Sequence, residues 1–77
     1  MKVESKIKQY LEENHIQQKV LSEVTGIPIP RLNLTLNGRR NLKFDEYELI
    51  CGALRVDVNT FLEARIPEQS DVDGEDY

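Results

Sequence analysis

The sequence predicts an all-α domain of five helices followed by an acidic, disordered tail. Three observations carry this. Apolar residues recur at three- and four-residue spacing, as in Val3, Ile7, Tyr10 and Leu11, which is the period of a helix with one buried face. Strong stop signals, Gly26, Asn37-Gly38 and Pro67, fall between such runs. No strand pattern, internal repeat or glycine-rich phosphate loop appears.

Each element follows from its residues. The first helix is expected from about Val3 to Asn14, with Lys6, Lys8, Glu12 and Glu13 on its wet side and Asn14-His15 at its end. Ile16 then begins the next buried segment. A second helix is expected from about Gln18 to Thr25, with Leu21 and Val24 facing inward and Ser22 small enough for a close crossing. Gly26 follows, where a left-handed backbone meets no Cβ. Ile27 reads as an apolar plug after that turn.

The third helix starts near Ile29, because Pro28 and Pro30 are tolerated only in a first turn. Leu32 and Leu36 share a face, with Ile29 on the same side and Arg31, Leu34 and Thr35 roughly opposite. After the loop Arg39–Lys43, a fourth helix spans about Phe44 to Leu54, with Tyr47, Ile50, Cys51 and Leu54 inward. Asp45, Glu46 and Glu48 are explained by the helix dipole and a solvated face rather than as catalytic carboxylates. Asp57 would cap a short fifth helix through about Ala64, whose Phe61 and Leu62 close the core. Residues 1–65 form the domain, and residues 66–77 hold too little apolar surface to fold.

Composition narrows the function. At 77 residues the chain makes one small domain. Cys51 is the only cysteine, so no internal disulfide forms, and its place on an apolar face points to packing. The start, MKVESKIKQY, predicts no secretory leader, and no run approaches the ~20 apolar residues of a membrane helix. A cytoplasmic protein is expected. His15 has no second ligand at metal spacing, and no nucleophile–base pair is present, so neither a cofactor nor an enzymatic reaction is implied.

The net charge of −4 is uneven. Residues 1–62 hold nine Lys/Arg and eight Asp/Glu, a balance of +1, whereas residues 63–77 hold one Arg and six acids, a balance of −5. From Val24 to Phe44 there is no carboxylate, but there are Arg31, Arg39, Arg40 and Lys43. Two short helices joined at Gly26, with this acid-free stretch upon them, read as a helix-turn-helix whose cationic side faces double-stranded DNA.

The block from Ile16 to Arg40 carries a family resemblance. The glutamine opening the second helix, Leu21-Ser22, Gly26-Ile27, Leu32 and Leu36-Asn37-Gly38-Arg39-Arg40 resemble the lambda-repressor/Cro-like (XRE-type) helix-turn-helix regulators. FDEYELICGALRVDVNTFL is similar to the last two helices of small prophage-type members, and the likeness covers roughly residues 3–63. It implies a five-helix DNA-binding domain that reads the major groove with its third helix, a transcriptional repressor of phage or mobile-element type.

The resemblance also implies roles residue by residue. Gln18 would bond a phosphate, a role compatible with capping its helix. Ile29, Pro30, Arg31 and Leu34 fall at positions that face base edges, Asn33 and Asn37 would reach phosphates, and Arg39, Arg40 and Lys43 ride the backbone. Ser22 stands in place of the usual alanine and Thr25 in place of an apolar residue. The usual polar base readers are here Ile29, Pro30 and Leu34, so Arg31 carries most direct readout, beside apolar contact with thymine methyls.

Rival readings remain open at this point. Arg31 is a base reader or a solvated arginine; Leu34 meets DNA or a partner protein. A domain this small is expected to pair on a two-fold operator, as a homodimer through the fifth helix with Phe61, Leu62 and Ile66. The alternative function is a protein-interaction module on the same scaffold, an antirepressor or partner-binding regulator, for which the apolar third helix and acidic tail argue. The tail competing with DNA for the basic face is a further possibility.

Overall fold

A computed structural model of the chain describes residues 2–64. Among them are four helices and no strand: α1 Val3–Glu13, α2 Gln18–Thr25, α3 Ile29–Leu36 and α4 Phe44–Leu54. None is long and apolar enough to cross a membrane.

The four share one core. Ile7 and Leu11 of α1, Leu21 of α2, Leu32 and Leu36 of α3, and Tyr47, Ile50 and Cys51 of α4 are all buried, with Ile27 and Phe61 joining from the connections. Val3, Tyr10, Ile16 and Leu54 pack against this cluster half-buried. α2 packs on both α3 and α4, and α1 packs on α3. Every helix thus spends its apolar stripe on one shared interior.

Helix ends follow local chemistry. Gly26 closes α2 at φ +80°, where an L side chain is strained, and the Thr25 hydroxyl accepts the Ile27 N–H at 3.1 Å. After α3, Gly38 takes φ +75°; its N–H reaches the Thr35 carbonyl (3.0 Å) and that of Arg39 reaches Leu34 (2.8 Å). α1 closes the same way, with the Ile16 N–H on the Leu11 carbonyl at 2.8 Å, but the left-handed residue is His15 at φ +55°.

An L residue there costs ~1–2 kcal/mol, and glycine's extra chain entropy returns ~0.5–1. His15→Gly is therefore expected to stabilise the domain by ~0.5–1 kcal/mol. The urea midpoint should rise with an unchanged slope; an unchanged or lower midpoint would remove the strain argument.

Several expectations change on the structure. The fifth helix is absent: residues 57–64 form a turn and irregular chain. Asp57 does cap, but it caps only the turn, its carboxylate accepting the Asn59 N–H at 2.8 Å and its carbonyl that of Thr60 at 2.9 Å. A helix would need the Val58 carbonyl for the Leu62 N–H. That carbonyl instead accepts the Tyr47 hydroxyl, and the Leu62 N–H turns to Asn59. Burial pushes the Tyr47 phenol up to about 12.

Phe61 still closes the core, edge-on to Tyr10 with ring centroids 5.6 Å apart, whereas Leu62 is 46% exposed. Val24, at 63%, and Ile29 are also exposed rather than inward. Thr35 is buried rather than opposite the core face, and Glu46 is buried rather than solvated. The acidic tail, the domain boundary at 65 and Ile66 lie outside the described residues.

Candidate nucleic-acid interface

α2, the Gly26 turn and α3 form a helix-turn-helix tied together by short polar contacts. The Ser22 hydroxyl donates to the Ile27 carbonyl at 2.6 Å, and the Thr25 hydroxyl donates to the Leu21 carbonyl at 2.8 Å. A small hydroxyl at 22 therefore fastens the turn, which gives the departure from alanine a structural role.

Leu32, Thr35 and Leu36 turn inward, so Ile29, Pro30, Arg31, Asn33 and Leu34 are left on the exposed side of α3. Gln18 opens α2 half-buried, preceded by Gln17 at the cap position, and no side chain caps this end. The capping role weighed for Gln18 is thus not used. The first N–H groups of α2 are open to an anion.

The cationic residues divide into two kinds. Arg39 and Lys43 are exposed, and neither has an ion-pair partner among the described residues. Arg40 is different. Its Nη1 donates to Glu46 Oε1 (2.9 Å) and to the Thr35 hydroxyl (2.9 Å), and its Nη2 donates to Glu46 Oε2 at 3.3 Å. Its side chain is only 22% exposed. The expected outward arginine is a clasp that fixes the α3–α4 loop, and one acid masks that part of the rim.

Glu46 serves three partners. Besides Arg40, its Oε1 accepts the Lys43 backbone N–H at 3.2 Å, and its Oε2 lies 3.6 Å from Arg31 Nη1. The hydrogen bond from Arg40 holds its carboxyl below the usual value, against the opposing effect of burial, with Lys43 N–H and the two arginine charges adding. Arg31 stays 51% exposed, leaning toward α4 at one end with its other donors in solvent. The stretch without acids in sequence is therefore not without one in space, because Glu46, two residues beyond it, folds back beneath it.

Asn37 is also engaged. Its amide nitrogen donates to the Asn33 carbonyl (2.8 Å) and its amide oxygen accepts Lys8 Nζ (2.7 Å). Lys8 of α1 thereby joins the edge of the motif, a residue that sequence reasoning left on a plain solvated face. Twenty-nine positions separate the pair, and no local pattern announces it. Asn33, exposed, has its side chain outward.

Residues 6–65 match the family model of the Cro/C1-type HTH DNA-binding domain. No curated protein and no solved structure matches the chain.

Proposed function

The chain belongs to the Cro/C1-type helix-turn-helix DNA-binding family, and from that premise we propose that it is a sequence-specific transcriptional repressor, of phage or mobile-element type, that lays α3 in the major groove. The observation that carries the proposal is the exposed side of α3 running into a loop with two cations, Arg39 and Lys43, that have no ion-pair partner among the described residues. Arg31 probes base edges; Ile29, Pro30 and Leu34 offer apolar contact to thymine methyls. Arg39, Lys43 and Asn33 meet phosphates, joined by Gln18 and the open N-terminus of α2. Arg40 is turned to Glu46 and shapes the loop, while the exposed Asn37 bonds back to the Asn33 carbonyl and closes the end of α3.

One domain offers few base contacts, so two copies bind a two-fold operator with half-sites about 34–36 Å apart. With Phe61 in the core, the exposed Leu62 and Phe44, which line one groove with Val3 and Leu42, offer an apolar surface for pairing away from the exposed side of α3.

Two substitutions separate reading from positioning. Arg31→Ala is expected to cost ~1–3 kcal/mol on a duplex selected from a random pool and to relax base preference. Arg39→Ala should weaken selected and random duplexes about equally and shrink the salt dependence by about one counterion. If both variants weakened every duplex alike, Arg31 would be another phosphate contact.

A second reading has its own observation. Val20, Val24, Ile29 and Leu34 are large apolar residues exposed on the two helices of the motif. A partner protein would be held through them, and DNA affinity would then be immeasurable at low salt.

A further inference from the structure

We propose that Glu46 sets the base selectivity of the domain by acting through Arg31, as a positioning residue beneath the reading face. This deepens the assignment of Arg31 as reader and rests on it.

The geometry gives Glu46 an unusual position. It belongs to the first turn of α4, yet its carboxylate is buried under the junction of α3 and the following loop, with 6% of the residue exposed. Arg40 takes both oxygens, and Lys43 N–H takes one, so the carboxylate is fixed from three directions. A fixed carboxylate is a rigid reference point. Arg31 Nη1 sits 3.6 Å from Oε2, longer than a hydrogen bond but within ion-pair range.

That separation is what a reader needs. An arginine free in water samples many rotamers, and ordering them on binding costs affinity and admits alternative contacts. Arg40, locked in a two-pronged ion pair and bonded to Thr35 as well, has three of its five donors committed and its guanidinium fixed in place. Arg31 lies between: one end is drawn toward Oε2, while half of its side chain stays open to a base edge. The same carboxylate therefore locks one guanidinium and merely aims the other.

The negative charge also works against indiscriminate binding. Beside Arg31, the carboxylate takes up part of the cationic field that would otherwise draw in any phosphate, whatever the base sequence. Selectivity is raised and random affinity is lowered by one group.

Glu46→Gln tests this, because an amide oxygen in place of Oε1 still accepts from Arg40 Nη1 and Lys43 N–H, while the charge and the bond from Arg40 Nη2 are lost. The full chain is titrated by fluorescence anisotropy against a duplex selected by the unaltered protein and against a random duplex. We expect the selected-to-random affinity ratio to fall about threefold to fivefold, the random duplex being bound as tightly or more tightly. In Arg31→Ala the ratio is already collapsed, and adding Glu46→Gln should change it no further.

A purely structural Glu46 would lower both affinities together, in step with the melting temperature, and would add to Arg31→Ala. That outcome overturns the proposal while leaving Arg31 as reader. An unchanged ratio in Arg31→Ala overturns the reader assignment itself, and this inference with it. Should Glu46→Gln not fold, the heteronuclear NOE of Arg31 Nε in the unaltered chain decides. A value near that of the backbone is expected, and a value as low as that of Arg39 Nε would refute the positioning.

Discussion

Leu32→Asp is expected to abolish the folded domain. Leu32 is 1% exposed and sits in the cluster that α1, α2, α3 and α4 share. Removing such a side chain costs ~2–5 kcal/mol as a cavity alone. A carboxylate in its place has no partner, and its burial adds several kcal/mol more or forces the helix to turn out. A core in a chain of this size supplies only about 3–5 kcal/mol in total. The loss exceeds the reserve, so far-UV circular dichroism should show a coil at room temperature. Leu34→Asp is the control. It sits two residues along, 45% exposed, and should change stability by no more than ~0.5 kcal/mol. A helical spectrum for Leu32→Asp would mean that α3 is not packed as described.

Glu46→Ala is expected to be the most damaging change outside the apolar core, at about 3 kcal/mol. Truncation strands the Arg40 guanidinium with the Thr35 hydroxyl alone and leaves the Lys43 N–H without its acceptor. Breaking a buried pair from one side costs ~3–5 kcal/mol. The low end applies, because Arg40 at 22% exposure can swing partly into water. The Arg31 contact contributes little here, since a half-exposed pair is worth ~0–1 kcal/mol.

The pH dependence has a defined sign. Glu46 titrates below its ordinary value of 4.5 in the fold, so its contribution is present above that value. It is lost as the pH falls through the folded pKa. Urea midpoints from pH 7 downward should therefore drop on the acid side, and Glu46→Gln should flatten that limb. An identical acid limb in both proteins would show that the clasp is not charged.

Much of this architecture is legible in the residues because its punctuation is chemical. Gly26, Asn37-Gly38 and the prolines at 28 and 30 stop or start helices for backbone reasons that hold in any context: α2 ends at Gly26, and α3 begins after Pro28 and ends at Asn37-Gly38. Leu21, Leu32, Leu36, Ile50 and Cys51 are buried as their spacing requires. Periodicity fails where a side chain answers to a partner distant in sequence. Thr35 is buried because Arg40 gives it a donor, and Glu46 because Arg40, six residues back across an irregular loop, gives it a counterion. Neither partner can be read from a 3.6-residue repeat.

The same limit explains the fifth helix. Asp57 is a sound cap by type, but the Val58 carbonyl is claimed by Tyr47 from another element. At the candidate interface, residue type separates cations from acids but cannot tell a locked arginine from an open one. Arg39 and Arg40 are adjacent, and only the fold distinguishes their roles.

On the proposed reading, the open cations Arg39 and Lys43 of the loop after α3 meet a phosphate backbone. Titrating binding to random duplex DNA against salt tests it most directly. With Arg39 and Lys43 engaged, the log–log slope of affinity against salt concentration is expected near −2 for one domain, at ~0.9 per phosphate. A slope near zero, or no binding at the lowest salt, would contradict it.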